Sequence, residues 1–283
     1  MVNHIAVIGG GIMGREIAYT AALSGFQVTL QDISDVALAK ASQSIETLAD
    51  KQLQNHYINE IQRDLVRNNL SYTDTLQEAV THADLVIEAV LEIIELKVEI
   101  FKQLDMYAPS HAILATNTST MSPTEIGAST KRPGQVLAMH FFNPVHRMKL
   151  VEIIRGLDTS NETVEVVKKV SEKMGKETVE VNEFPGFVTS RMNCLIGNEA
   201  MNMLMEGVAS AEDIDKALKL GLNHPMGPLE LADLIGLDTR LRNMEYLYHS
   251  LGEKYRPSPI LVKYVKAGRL GRKSGRGIYT YDD

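Results

Sequence analysis

Two side chains of this sequence, His140 and Glu152, are of the types that move protons near neutral pH. Each lies in an apolar segment typical of a buried strand, and Asn143-Pro144 between the segments is typical of a turn. The two strands could therefore lie near each other and present both side chains to one site. A histidine works best as a base when a carboxylate holds its other nitrogen and stabilises the imidazolium. On periodicity alone, however, an isolated histidine in an apolar strand is more often a hydrogen-bonded core residue.

A second group of residues with chemical meaning lies near the start of the chain. An apolar run is followed by Gly9, Gly11 and Gly14 in the spacing G-x-G-x-x-G, and then by a helix-like pattern. The first glycine makes the turn, the second admits a pyrophosphate close to the backbone, and the third lets helix and strand approach. The start of the helix, at Ile12 and Met13, offers free N–H groups and a positive dipole end to the phosphates. The pattern predicts a dinucleotide site.

Asp32 ends the second predicted strand, roughly 20 residues after the glycines. A carboxylate there accepts hydrogen bonds from the adenosine ribose hydroxyls and repels a 2′-phosphate, which favours NAD over NADP. The alternative is that Asp32 merely caps the helix that begins near Ser34 and Asp35. Because strand, glycines, helix, strand and acid all occur in order, we expect Asp32 to bind the cofactor.

The elements around these residues indicate the fold. Apolar segments alternate with helical patterns as far as the region of Glu183, which predicts an α/β fold with a Rossmann-type, mostly parallel sheet. Residues 36–69 are polar and helix-favouring, and we expect them to form an inserted helical hairpin. From Phe184 onwards the pattern is helical only. We therefore predict an NAD-binding domain at residues 1–183 and an all-helical domain, for substrate binding and dimerisation, at residues 184–283.

Ligands in such a sheet bind beyond the carboxyl ends of the strands. Asp32, residues 88–92 and residues 116–119 all fall at such ends. The position of His140 at a strand end favours a functional role over the core alternative. Further along the chain, Thr159 and Glu162 stand in capping-box positions before a helix expected at about residues 160–174.

Composition excludes several other functions. The 283 residues carry a net charge of −7, which argues against a general nucleic-acid or anionic-membrane surface. Cys194 is the single cysteine, so a disulfide within the chain is impossible and a reducing compartment is expected. No apolar run approaches the ~20 residues of a membrane span, and the first strand begins too early for a signal peptide. We expect a soluble cytoplasmic protein.

Several specific motifs, spread over essentially the whole chain, resemble those of the 3-hydroxyacyl-CoA dehydrogenase family. They are Gly9-Gly10-Gly11-Ile12-Met13-Gly14, Ala115-Thr116-Asn117-Thr118-Ser119, His140-Phe141-Phe142-Asn143-Pro144-Val145, Met148-Lys149-Leu150-Val151-Glu152, Pro185-Gly186-Phe187-Val188, Pro225-Met226-Gly227-Pro228 and Gly271-Arg272-Lys273-Ser274-Gly275 with Gly277 and Tyr279. The length without an attached hydratase domain is similar to that of the family's 3-hydroxybutyryl-CoA dehydrogenases.

The resemblance implies a role for each matching residue. His140 would be the catalytic base and Glu152 the carboxylate that orients it. Ser119 would hydrogen-bond the 3-oxygen of the substrate, and Asn117 would lie beside the nicotinamide. The residues expected to bind NAD are Gly9, Gly11, Ile12, Met13, Gly14, Asp32, Ala89, Glu92, Lys97 and Asn117. The spacing of the other histidines does not indicate a metal site.

One position departs from the family pattern. Where many members have Asn-Arg after Gly-Phe-x-Val, this chain has Thr189-Ser190-Arg191. Ser190 therefore replaces an asparagine that helps to polarise the substrate, and as a shorter side chain it can still donate a hydrogen bond. Asn193, one helical turn further on, is an alternative for the same role.

These observations lead to one functional hypothesis and two rivals. The hypothesis is reversible, NAD-dependent oxidation of (S)-3-hydroxybutyryl-CoA, with an acyl-CoA substrate and a homodimeric assembly. One rival is a dehydrogenase of free 3-hydroxy acids, which is expected to use a lysine in place of the pair. The other is a dinucleotide-binding protein without a reaction, which the retention of both His140 and Glu152 argues against.

Overall fold

The structure, a computed structural model, describes residues 2–281. The chain divides into two compact units, Met1–Glu183 and Phe184–Asp283. Among the described residues, no helix is both long and apolar enough to cross a bilayer.

Within residues 2–281, eight strands of the first unit form a single sheet. The strands are β1 (His4–Ile8), β2 (Gln27–Gln31), β3 (Leu70–Thr73), β4 (Leu85–Glu88), β5 (Ile113–Thr116), β6 (Val136–Phe141), β7 (Leu150–Arg155) and β8 (Glu177–Asn182). Their order across the sheet is β3-β2-β1-β4-β5-β6-β7-β8. Neighbours are parallel except β6 and β7, which are antiparallel. The predicted Rossmann-type, mostly parallel sheet is confirmed.

The helices of the first unit cover the sheet on both faces. They are α1 (Ile12–Leu23), α2 (Asp35–Gln54), α3 (Glu60–Asn69), α4 (Leu76–Val80), α5 (Ile94–Tyr107), α6 (Pro123–Ala128) and α7 (Asn161–Lys173). Along β1, Ile5 and Val7 enter one hydrophobic cluster, whereas Ala6 and Ile8 enter another. Because both faces are buried, the strand is apolar without interruption, as expected of a parallel sheet.

The predicted inserted hairpin is present as α2 and α3 between β2 and β3. Ser34 caps α2, because its side chain accepts a hydrogen bond from the N–H of Ala37. Asn59 and Gln62 form a complete capping box at the start of α3. These local signals fix where each helix begins.

The predicted cap of α7 is wrong by one residue. Ser160, rather than Thr159, accepts the hydrogen bond from Thr163 N–H and is the N-cap. The Thr159 hydroxyl instead donates to the carbonyl of Val136 and accepts from Gly156 N–H. A long-range hydrogen bond to β6 and a local one to Gly156 thus engage the side chain that the local pattern assigned to the helix cap.

The second unit is helical, as predicted. Its helices are α8 (Thr189–Glu206), α9 (Ala211–Gly221), α10 (Pro228–Ile235), α11 (Leu237–Leu251) and α12 (Pro259–Lys266). The buried carboxylate of Asp233 holds the final segment, since it accepts hydrogen bonds from the N–H groups of Ile278 and Tyr279 and from the Tyr281 hydroxyl. Burial and this carboxylate raise the pKa of Tyr281 to about 12, so the hydroxyl remains a donor.

Candidate active site

The centre of the candidate site is a pair of side chains on neighbouring antiparallel strands. His140 on β6 lies directly opposite Glu152 on β7. The Nδ1 atom of His140 is 2.7 Å from Oε2 of Glu152, and the carboxylate is fully buried. An ionised carboxylate can only accept, so Nδ1 carries a proton and donates it, which makes Nε2 the basic nitrogen. The ring of Phe142 lies 4.5 Å from the imidazole ring, centre to centre.

Asn117 connects the end of β5 to the strand that carries the histidine. Its side-chain oxygen accepts a hydrogen bond of 2.9 Å from the N–H of Phe141, the residue after His140. Its own N–H donates to the carbonyl of Glu88 at the end of β4. Asn117 is therefore fixed from both sides, by Phe141 and by Glu88.

Ser119 follows on the same loop and is held by Glu92. The Oε1 atom of Glu92 accepts hydrogen bonds from the Ser119 N–H at 3.0 Å and from the Thr118 hydroxyl. The other oxygen of Glu92 lies 3.3 Å from the ammonium of Lys97, which is itself fully buried. The structure thus joins Glu92 and Lys97, both predicted to bind NAD, to Ser119, which was predicted to bind the substrate.

The glycine-rich loop has the geometry that a dinucleotide needs. Gly9 has a positive φ of 107°, and a Cβ there would lie 2.8 Å from the carbonyl oxygen of Ala89. A Cβ on Gly14 would lie 1.8 Å from the carbonyl oxygen of Gly9, so strand and helix approach as closely as predicted. Gly11, by contrast, has open space beside it. The loop leaves room for a pyrophosphate before Ile12, where α1 begins.

Asp32 lies beside this loop at the end of β2. Its Oδ2 atom accepts from Gly10 N–H at 2.8 Å, and its Oδ1 atom accepts from Ser34 N–H at 3.0 Å. Since Ser34 caps α2, the alternative that Asp32 is merely the helix cap is wrong. Each carboxylate oxygen can accept a further bond, so the side chain can also bind ribose hydroxyls. The glycine loop and this carboxylate together fit NAD.

The remaining predicted residue, Ser190, belongs to the second unit. It is the second residue of α8, at the start of the helix. The alternative residue, Asn193, is already in use, because its carbonyl oxygen and its side-chain oxygen accept hydrogen bonds from Arg240 at 2.8 and 3.1 Å. Arg240 is buried, so Asn193 is held in place.

Three further residues that shape the site were given no role of their own from the sequence. Glu88 is a fully buried carboxylate at the end of β4, Thr118 is fully buried beside Ser119, and Phe142 packs on His140. The acid at the end of an apolar strand was the visible signal for Glu88. Across residues 2–281, no group of three or more His, Cys, Asp or Glu side chains is placed to hold a metal ion.

Two family models together match nearly the whole chain. Residues 4–184 match the family model of the 3-hydroxyacyl-CoA dehydrogenase NAD binding domain, and residues 186–281 match that of the C-terminal domain. The first match confirms NAD as the cofactor.

Individual relatives match over the full length. A probable 3-hydroxybutyryl-CoA dehydrogenase of Bacillus subtilis is 51% identical over 100% of this chain and 98% of its own. A protein of the same description from Deinococcus radiodurans is 46% identical over 97% of this chain and 99% of its own. The crystal structure of (S)-3-hydroxybutyryl-CoA dehydrogenase from Ralstonia eutropha superimposes with a TM-score of 0.96, at 42% identity and with both chains fully covered. The chain therefore belongs to the 3-hydroxyacyl-CoA dehydrogenase family.

Proposed function

We propose that this protein catalyses the reversible, NAD-dependent oxidation of (S)-3-hydroxybutyryl-CoA to acetoacetyl-CoA. The observation that carries the proposal is the contact of 2.7 Å between Nδ1 of His140 and the buried carboxylate of Glu152. The strands that carry this acid/base pair belong to the same sheet as β1, which the dinucleotide-binding loop follows. The substrate is proposed from the relatives that are named for it.

The protein residues account for the proton in this reaction. NAD, when bound, supplies the acceptor for the hydride that leaves C3 of the substrate. Nε2 of His140 takes the proton of the 3-hydroxyl group, so that the electrons of the O–H bond can form the carbonyl. Glu152 stabilises the resulting imidazolium through Nδ1. In the reverse direction, the imidazolium returns the proton to the 3-oxygen.

Other residues orient the substrate and cofactor in this proposal. Ser119 hydrogen-bonds the 3-oxygen as its charge changes, and Ser190 donates a second hydrogen bond in place of the family asparagine. Asn117 contacts the nicotinamide, and Asp32 selects NAD by binding its ribose. We further propose that the second unit contributes substrate binding and the surface of a homodimer. The protein would then serve fatty acid or butanoate metabolism in the cytoplasm.

A single assay tests the proposed reaction. Purified protein is mixed with NADH and acetoacetyl-CoA, and the loss of NADH absorbance is followed, with free acetoacetate as the control substrate. We expect turnover with the thioester and little with the free acid. Faster turnover of the free acid would contradict the proposal in favour of the rival class. A dehydrogenase of free acids is expected to use a lysine base. In this chain, the ammonium of Lys97 is instead buried between Glu88 and Glu92.

A further inference from the structure

We propose that Glu88 is a positioning residue that holds Ser119 in place through a buried chain of polar contacts. The proposal rests on the function proposed above, in which Ser119 contacts the substrate. Glu88 itself lies at the end of β4, fully buried, and has no expected contact with either ligand. Its effect on the reaction would pass through two other side chains, Lys97 and Glu92.

The first link is the fixed position of Glu88. Its Oε1 atom accepts from the N–H of Val90 and from the ammonium of Lys97, both at 2.7 Å. Its Oε2 atom accepts from the hydroxyl of Thr116, also at 2.7 Å. Three donors on a buried carboxylate leave it a single orientation, because each lost hydrogen bond would leave a buried polar group unpaired.

The second link is the sharing of Lys97 between two carboxylates. Its ammonium contacts Glu88 at 2.7 Å and Glu92 at 3.3 Å. The Glu92 side chain is 35% exposed, so without this contact water could hydrate it and let it turn. Glu88 fixes the ammonium, and the ammonium fixes Oε2 of Glu92.

The third link joins Glu92 to the loop after β5. With Oε2 on Lys97, Oε1 faces the N–H of Ser119 and the hydroxyl of Thr118. The oxygen of Thr118 in turn accepts from the N–H of Thr120 and of Met121. The turn that carries Ser119 is therefore set by a carboxylate whose own position depends on Glu88.

The variant Glu88→Gln tests this chain of contacts. The amide keeps the shape of the side chain but removes its negative charge, so that Lys97 is no longer held between two carboxylates. Lys97 then shifts toward Glu92 and turns it away from the loop. We expect kcat with acetoacetyl-CoA to fall about tenfold, whereas Ser119→Ala falls about 10²-fold.

The double variant separates a positioning role from a structural one. If Glu88 acts through Ser119, then Glu88→Gln should change kcat less than about twofold when Ser119 is already alanine. Additive losses would overturn the proposal. A fall in kcat that is explained by weaker NADH binding would also overturn it. The Kd of NADH, measured by fluorescence titration, should change less than about twofold in Glu88→Gln.

A measurement without turnover tests the same link. The Ser119 amide should exchange its hydrogen about tenfold faster in Glu88→Gln, because its acceptor has moved. The matched control is Asp105→Asn, which removes the charge of a partly buried ion pair elsewhere in the first unit, with Arg132 at 2.7 Å. This control should alter neither kcat nor the exchange of Ser119, and unchanged exchange in Glu88→Gln would contradict the proposal.

If Glu88→Gln does not fold, the pair Glu88→Gln with Lys97→Met removes both charges and leaves no buried ion unpaired, so the hydrogen exchange of the Ser119 amide can be measured on it. Failure of the wild-type protein to reduce acetoacetyl-CoA would contradict the proposed function alone, because the exchange measurement still reports whether Glu88 holds Ser119.

Discussion

The side chains of His140 and Glu152 meet because of strand register, since they are direct partners across β6 and β7. Directly opposed residues of an antiparallel pair point to the same face, and a slip of one residue would send them to opposite faces. The geometry of the pair is thus a property of the sheet. No flexible loop has to bring the two groups together.

Replacement of His140 by alanine should remove the proton acceptor and leave the cofactor loop intact. We expect kcat with acetoacetyl-CoA to fall by ~10²–10⁴-fold, with NADH binding unchanged in a fluorescence titration. The exposed His82 is the control, and His82→Ala should keep its activity. Near-normal turnover of His140→Ala would mean that another group is the base.

At the scale of single residues, some side-chain contacts could be predicted from the sequence and others could not. His140 and Glu152 could be chosen as a pair because their residue types and the turn between their strands suggested proximity. Glu88 could not be assigned a partner, because its contact with Lys97 depends on how the first turn of α5 lies over the end of β4. For Asn193, the alternative to Ser190, the sequence did not reveal that Arg240, 47 positions away, would donate to both of its oxygen atoms.

Between elements, the turn that joins β6 and β7 is held from two sides. Glu16 on α1 accepts from Val145 N–H at 2.5 Å, and the buried ammonium of Lys176 donates to the carbonyls of Val145 and Met148. Burial lowers the pKa of Lys176. The helix that follows the glycine loop therefore also supports the strands that carry the acid/base pair, a coupling that helical periodicity alone does not reveal.

Asp32 acts between β2 and the glycine loop, and its replacement should change cofactor choice. In Asp32→Ala, the carboxylate that would bind ribose and repel a 2′-phosphate is gone. We expect the ratio of kcat/KM for NADH over NADPH to fall at least about tenfold. Asp35→Ala is the matched control, because Asp35 is exposed in the first turn of α2. The preference of this variant for NADH over NADPH should stay unchanged. An unaltered preference in Asp32→Ala would show that another residue reads the ribose.

For the molecule as a whole, the order of elements was predictable because hydrophobic periodicity reports which faces are buried. The apolar strands, the inserted hairpin and the change to helices after Glu183 are each visible as a change of period. Long-range hydrogen bonds were not visible, because they join residues far apart in sequence. Thr159 shows the consequence, since a bond to Val136, 23 positions away, displaced the predicted cap.

Asp84, directly before β4, makes long-range hydrogen bonds of this kind to the residues at the start of β1. Its carboxylate accepts from Asn3 N–H at 2.7 Å, from His4 N–H at 3.0 Å and from the ring of His111 at 3.0 Å. Burial alone would raise the pKa of Asp84, but these hydrogen bonds together hold it below its usual value. A lowered pKa in the folded state means that the unfolded chain binds the proton first as pH falls.

The stability that the Asp84 charge contributes should therefore be present above about pH 4, the ordinary range of an aspartate, and disappear as pH falls through its lower folded value. We expect Asp84→Asn to lower the free energy of unfolding by about 1 kcal/mol at neutral pH, since the amide keeps the shape but loses the charge-assisted bonds. The chain has no tryptophan, so urea unfolding is followed by circular dichroism at several pH values. Asp64→Asn, on an exposed face of α3, should change the free energy little at any pH. A difference between wild type and Asp84→Asn that stays constant from neutral to strongly acidic pH would show that the charge of Asp84 contributes nothing to folding.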